Sequence, residues 1–405
     1  MGGYDLIVIG AGIIGASCAE RALADGRRVA IVEAGIAGGG VTAASMGHLV
    51  AMDDDPAELA LSRYSMRLWD AFEGLEQSEY RRCGTLWVAA DDREMAAVPA
   101  KIARLQAAGV HAEAVDAARL RELEPMLAPG LAGGMLVPGE GVLYPPRAVD
   151  WLMARCRAAG AAVLRRRALR LVDGGVELDD GSVLRGQVLV AAGHASAQLL
   201  PELPMHVRRG HLVVTDRHPG LVRHQVLELG YADSAHGDDD TSVAFNVQPR
   251  ATGQLLIGSS RERDASGPEV NPPVLARMLE RAFRYLPALR ALQATRVWTG
   301  LRPCTGDGRP YVGAVPGRAG CWVATGHEGL GVTTALGTAR LLLDLLAGRA
   351  PGIDPSPYDP ARVAAPRAFV VDPIDGTRGF IRGEDSWTIS LAVVEGERPV
   401  AGVVY

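Results

Sequence analysis

Gly10-Ala11-Gly12-Ile13-Ile14-Gly15 is a G-x-G-x-x-G turn, and Glu33 stands 33 − 15 = 18 residues beyond its last glycine. A carboxylate about 20 residues after such a turn suits the hydroxyls of a ribose and repels a 2′-phosphate. Gly10 permits the tight turn, Gly12 admits a pyrophosphate against the backbone, and Gly15 lets the next helix pack on its strand. The amides around Ile13 and Ile14 open that helix and add partial positive charge for a diphosphate. Ala34 follows Glu33 and is counted with the ribose site. The turn specifies a dinucleotide and leaves FAD or NAD open. Two more groupings lie far downstream. Arg302, in Gly300-Leu301-Arg302-Pro303, carries a fork that matches a carboxylate bidentately, or else ties down its own loop. Gly326-His327-Glu328-Gly329-Leu330-Gly331-Val332 precedes an apolar helix, so its amides and dipole suit developing negative charge without any side-chain acid. His327 there is either a ligand neighbour or a structural histidine. His48 is likewise either a contact to bound ligand or a packing residue.

These groups need a scaffold. Residues 4–10 form a short apolar run, as a buried parallel strand requires, followed by a helix over 16–25 and a second buried strand over 28–33. That βαβ unit predicts a parallel sheet with a right-handed crossover. Helical patterns occupy 56–76, 94–108, 117–123, 146–159, 273–285 and 333–346. Residues 161–190 read as short strands about an Asp179-Asp180-Gly181 turn, and 188–193 and 321–325 as further buried strands. Residues 206–260, with turns at Pro219-Gly220 and Thr252-Gly253, read as a separate antiparallel sheet, and a strand lies around 296–299. Tyr231, Asn246 and Gln248 lie on that sheet, where alternation points some of them inward. The expected fold class is α/β: a Rossmann-type dinucleotide domain (about 1–80, 145–205 and 296–350) interleaved with an antiparallel-sheet substrate domain (about 81–144 and 206–295). The Pro-rich segment 351–366 reads as a tail or linker.

The chain has 405 residues, 48% hydrophobic and 22% charged, with a net charge of −5. That is enough chain for real cores, and no basic surface points to nucleic acid. Arg165, Arg166, Arg167 and Arg170 read as a solvated face or strand edge. No apolar run is long enough to span a bilayer, and the first strand begins too early for a signal peptide, so a cytoplasmic location is expected. Cys18, Cys83, Cys156, Cys304 and Cys321 are dispersed without a C-x-x-C pair, which fits reduced thiols and no metal site.

Directly after the Glu33 strand comes Gly38-Gly39-Gly40-Val41-Thr42-Ala43-Ala44-Ser45-Met46-Gly47. Its small residues let backbone amides approach a phosphate or a flat ring, with hydroxyls from Thr42 and Ser45. Here the chain resembles the D-amino-acid oxidase superfamily of flavoproteins, which includes glycine oxidase, sarcosine oxidase and D-amino-acid dehydrogenases. Val190-Ala191-Ala192-Gly193 is similar to the family's strand end near the cofactor. Gly300 to Pro303 with Asp307-Gly308-Arg309-Pro310, and Gly326 to Gly331, are similar to its two C-terminal motifs. The resemblance implies a non-covalent FAD contacting Thr42, Ala43, Ser45, Met46, Gly47, Ala192 and Gly193, with Cys304 unattached. It implies that Arg302 holds a small amino or imino acid by its carboxylate, and that oxidation yields an imine. Ser45 to Leu49 and Met52-Asp53-Asp54 resemble the flavin subunit of bacterial D-hydroxyproline dehydrogenases. That implies D-hydroxyproline as substrate and an electron-acceptor subunit as partner. An oxygen-using oxidase of glycine or sarcosine type, and an electron-transfer subunit, are the alternatives.

After residue 366 the character changes. Asp372-Pro373-Ile374-Asp375-Gly376-Thr377 resembles the metal motif of the inositol monophosphatase family, where carboxylates hold Mg²⁺. That family also needs acidic ligands upstream and another aspartate well downstream, which this segment lacks. Residues 366–405 are therefore expected to be a fragment without phosphatase activity.

Overall fold

A computed structural model describes residues 3–52, 55–230, 241–263, 265, 267–363, 367–375, 388–395 and 398–404. Asp53, Asp54, Tyr231, Gly376 and Thr377 lie outside the described residues.

Branched apolar residues at 6–9, 29–33 and 187–190 are buried on both faces, as continuous apolar strands must be. They form the middle of a six-stranded sheet in the order Tyr311–Ala314, Cys321–Thr325, Gln187–Val190, Leu6–Ile9, Val29–Glu33, Ala162–Arg165. The last five run parallel, and Tyr311–Ala314 closes one edge antiparallel. Helices Ile13–Ala24, Pro145–Ala158 and Gly331–Leu346 pack on one face through Leu6, Val8, Ile31 and Leu189. Val176 and Leu178, from a small sheet over residues 168–185, cover Ile7, Ile9, Val32 and Val190 on the other. The Asp179-Asp180-Gly181 turn joins antiparallel strands of that small sheet, as expected.

The second sheet has eight strands, in the order Ala294–Thr305, Met205–Arg217, Gln254–Arg263, Thr241–Pro249, Gln225–Glu228, Thr85–Ala89, Gly133–Val137, Glu113–Asp116. It is mixed rather than wholly antiparallel, because Gln225–Glu228 runs parallel to Thr85–Ala89. The chain leaves this sheet only after Val137 and passes through the first sheet at Ala162–Arg165 and Gln187–Val190 before returning, so no hairpin fixes their relative direction. Strand Ala294–Thr305 is longer than its sequence signal. It pairs with Met205–Arg217 along its length, so the domain boundary expected near 296 falls inside one strand. Helix Pro272–Tyr285 covers the far face, where Phe245 and Tyr285 stack at 4.6 Å.

Local signals moved several element ends. Helix Ile13–Ala24 starts three residues before its apolar pattern because Gly12 serves as its N-cap. The helix expected over 94–108 divides into Asp92–Met95 and Val98–Ala107, since the Asp91 side chain caps the first piece. The helix expected over 56–76 ends at Asp70. The segment expected as a linker is partly built into the body: Tyr358 is 1% exposed, and its hydroxyl donates to the Ala57 carbonyl at 2.6 Å. Arg362 pairs with Asp307 at 2.8 Å. Beyond it, Arg367–Asp375, Thr388–Glu395 and Arg398–Val404 form a three-stranded antiparallel sheet.

Candidate active site

A long cleft opens along the C-terminal ends of the parallel strands, where a doubly wound sheet places its ligand. Its walls include Gly10, Gly12, Ile13, Ile14, Glu33, Ala34, Thr42, Ser45, Ala192, Gly193, His327, Gly329, Gly331 and Val332. Six other residues expected at the site are not among its walls. A Cβ on Gly15 would lie 1.9 Å from the Gly10 carbonyl oxygen, so Gly15 serves helix packing. Gly47 has φ +83, and a Cβ there would meet the Leu143 oxygen at 2.1 Å. Gly326 has φ +81 and Leu330 caps the last helix, while Ala43 is exposed and Met46 packs against Leu212 and Leu256 of the large sheet.

The residues present fit an FAD. Gly10 combines φ +99 with an approach so close that a Cβ would sit 2.5 Å from the Ala191 oxygen. Helices Ile13–Ala24 and Gly331–Leu346 both begin at the cleft, each with no side-chain cap and no acidic residue in its first turn. Two open helix N-termini therefore face one elongated space, suiting a ligand with anionic character at two places. The Glu33 carboxylate accepts from the Ala11 amide at 2.7 Å and from the Gly35 amide at 2.7 Å, which fixes its position at the cleft edge. Thr42 Oγ1 accepts from the Ile13 amide at 3.1 Å, tying the small-residue segment to the glycine turn. Arg166 and Arg167 were expected only as a solvated edge. They are exposed, yet they also line the cleft, with Arg166 held by Asp180 at 2.8 Å. Gly38, Gly40 and Val41 of the small-residue segment line the cleft as well, and His194 and Gln198 are further wall residues without a sequence signal of their own.

The other end of the cleft is bounded by Pro303, His327 and Glu328. Burial pushes His327 down to about 3, and its Nε2 lies 3.0 Å from Thr338 Oγ1. Cys304 is buried and its thiol is pushed up to about 12 by burial, so it holds its proton. Glu328, at φ +46, pairs with Arg261 at 3.0 Å and Arg208 at 3.3 Å. Arg302 lies beside Pro303 on strand Ala294–Thr305. Its guanidinium crosses Gly210, where a Cβ would be 2.3 Å from Nη2, and Nη1 donates to the Ser260 carbonyl at 2.8 Å.

His48 sits across from this sheet face, with Nδ1 2.6 Å from Gln225 Oε1 and Nε2 3.0 Å from Asn246 Nδ2. Burial first, then the charges of Arg250 and Arg302, pushes it down to about 4, against the pull of the Gln225 bond. Thr333 in the last helix's first turn donates to the His48 carbonyl at 2.8 Å. Gln248 Nε2 donates to the Met46 carbonyl. Arg302, His48, Asn246 and Gln248 are thus gathered beside the cleft's Pro303 end, although Asn246 and Gln248 carried no individual signal in the sequence.

Taken together, an FAD-shaped cleft on a doubly wound sheet beside a second, mixed sheet defines a two-sheet flavoprotein oxidoreductase. The chain belongs to the FAD dependent oxidoreductase family, whose model matches residues 5–345, and it is an FAD-dependent oxidoreductase. A glycine oxidase of Pseudomonas aeruginosa is 31% identical over 386 residues, covering 88% of this chain and 98% of the relative. A D-amino acid dehydrogenase of Cereibacter sphaeroides is 31% identical over 303 residues, covering 71% of this chain and 66% of the relative. The crystal structure of glycine oxidase from Geobacillus kaustophilus superposes with a TM-score of 0.79 at 26% identity, covering 89% of this chain and 98% of that one. The inositol monophosphatase family matches residues 354–405. That match begins inside the segment carrying Tyr358 and Arg362, which the oxidoreductase body holds.

Proposed function

We propose that the chain dehydrogenates a small amino or imino acid at Cα, giving an imine. The observation that carries this reading is Arg302, laid over Gly210 on a sheet face next to the cleft wall at Pro303. A partly buried guanidinium fork there matches a carboxylate in two hydrogen bonds, setting orientation as well as charge. The FAD, when bound, supplies the hydride acceptor. Thr42, Ser45, Glu33 and the amides of Gly12 and Ile14 would hold it at the glycine-turn end, with the Ile13 amide already given to Thr42. The start of helix Gly331–Leu346, with Gly329 and His327, holds it at the other. The uncapped amides there would favour negative charge on the group they face. The sequence likeness to a glycine oxidase over nearly its full length supports a small amino acid, and the likeness to a D-amino acid dehydrogenase supports a D-configured one. D-hydroxyproline is the particular substrate we favour, on the Ser45 to Leu49 resemblance.

An anaerobic screen of amino and imino acids, read as loss of flavin absorbance, tests the assignment. Arg302→Ala is expected to raise the substrate Kd at least 100-fold, and an unchanged Kd would remove the carboxylate role. Peroxide production against artificial-dye reduction separates an oxidase from a dehydrogenase. A second reading, a subunit that passes electrons to a partner, has one observation in its favour. Hydrogen cyanide synthase subunit HcnC of Pseudomonas aeruginosa is 25% identical over 417 residues, covering 89% of this chain. Flavin bleaching without turnover in the isolated protein would favour that reading.

A further inference from the structure

The direction of every hydrogen bond running into Asn246 is fixed from a distant backbone carbonyl. Gln225 Nε2 donates to the Gly141 carbonyl at 3.4 Å and also to Thr85 Oγ1. That turns Gln225 Oε1 toward His48, so His48 Nδ1 carries the proton of their 2.6 Å bond. His48 is buried and neutral, so Nε2 keeps a lone pair and accepts from Asn246 Nδ2 at 3.0 Å. With its N–H committed, Asn246 presents its carbonyl oxygen elsewhere. Asn246 is 2% exposed, and Oδ1 has no hydrogen-bond partner within the protein. An unmet buried carbonyl costs about 1–3 kcal/mol, so a group that supplies a donor is expected.

The surrounding floor says which donor fits. On this face of the eight-stranded sheet, glycines stand between Arg302 and Asn246. Gly210 lies under the guanidinium, and Gly258 is the direct cross-strand partner of Asn246. A Cβ at Gly258 would come within 3.0 Å of Leu212 and Met46. The guanidinium already reaches Ser260, one strand away from Asn246. Ser260 pairs with Val243, and Asn246 pairs with Gly258. The Ser260 and Asn246 backbones therefore stand one strand spacing across and two residues along from each other, on the order of 8 Å, the scale of an α-amino acid held by a hydrogen bond at each end.

We propose that Asn246 Oδ1 is the acceptor for the substrate's α-nitrogen, opposite the Arg302 anchor, and that His48 and Gln225 are positioning residues that keep this oxygen turned toward the substrate. The proposal rests on the carboxylate reading of Arg302. It makes the site specific for an α-amine or α-imino group bearing at least one N–H. His48 acts through Asn246 and has no contact with the reacting atoms.

Binding separates the two assignments. In the FAD-loaded protein, reduced beforehand and held anaerobic so that no probe can be oxidised, isothermal titration calorimetry gives Kd for three pairs of probes. Each pairs an amino acid with its nitrogen-free isostere: glycine with propanoate, sarcosine with butanoate, D-proline with cyclopentanecarboxylate. At least one nitrogen-bearing member is expected to bind tenfold or more tightly than its isostere. Asn246→Leu is expected to bring that pair within twofold, while the isostere's Kd moves less than threefold and flavin content is retained. Asn246→Asp, which keeps an acceptor oxygen, is expected to restore the preference. Equal losses for both members of the pair, a preference surviving Asn246→Leu, or no preference in the unaltered protein would each overturn the proposal. Arg302→Ala should weaken both members alike. If it weakens neither, the carboxylate anchor fails while the Asn246 contrast is still read.

Discussion

At the scale of single residues, Glu33 and the two buried histidines make opposite demands. Glu33→Ala removes the acceptor from the Ala11 and Gly35 amides. Hydrogen bonds to a charged group contribute about 1.5–3 kcal/mol each, so FAD should bind at least tenfold more weakly to the reconstituted apoprotein. Glu33→Gln, which keeps one acceptor oxygen, should lose less. The histidines set a pH dependence. Burial lowers His48 from 6.5 to about 4 and His327 from 6.5 to about 3. Between about 6.5 and 4 the unfolded imidazole takes up a proton that folded His48 refuses. Stability therefore falls as pH drops through that window and levels off for this group below it. The loss for His48 is on the order of 3 kcal/mol. Melting temperature against pH should slope accordingly, and His327→Asn, with an amide able to bond Thr338, should flatten its lower part. The glycine turn, Glu33 and Arg302 were legible in sequence because each acts through a local pattern. Asn246 was legible only as one residue of the substrate sheet among others, because its orientation depends on Gly141 and Gln225, residues that only the folded sheet brings to it. Arg166 and Arg167 read as an edge for the same reason: nothing local shows that the edge borders the cleft.

Among elements, helices Pro56–Asp70 and Gly331–Leu346 meet tightly at Ser65 and Gly337. The Gly337 amide donates to Ser65 Oγ at 2.9 Å, and a Cβ on Gly337 would lie 2.8 Å from the Ser65 Cβ. Gly337→Ala must push the helices apart, at about 1–3 kcal/mol, seen as a lower urea midpoint. The last helix starts at the cleft, so the variant should also retain less flavin on dilution. Periodicity made these helices legible, and their ends erred where caps overrode apolar spacing, as at Gly12 and Asp91. The mixed character of the large sheet was not legible. Thr85–Ala89 and Gln225–Glu228 belong to separate visits of the chain, and alternation within a strand says nothing about its neighbour's direction.

For the whole molecule, the question is where the oxidoreductase body ends. Tyr358 and Arg362 are bonded into it at Ala57 and Asp307, although a phosphatase-family likeness begins at residue 354. A chain ending at Val363 should keep the flavin content and melting temperature of the full chain. One ending at Ile353 should lose several degrees, because it strips a buried aromatic and an ion pair. Differential scanning calorimetry of the two truncations decides the boundary. The sequence reading puts that limit near 366, whereas the family likeness begins at 354, and the two truncations decide between them. Strand Ala294–Thr305 has a mechanical meaning at this scale. It begins at the edge of the large sheet and ends at the cleft wall, with Arg302 and Pro303 as consecutive residues. The proposed grip on the substrate and the wall of the cleft are thus joined by one peptide bond, with no hinge between them. Any breathing between the two sheets moves both together, so alignment of the reacting carbon is set by covalent geometry rather than by how tightly the sheets happen to close.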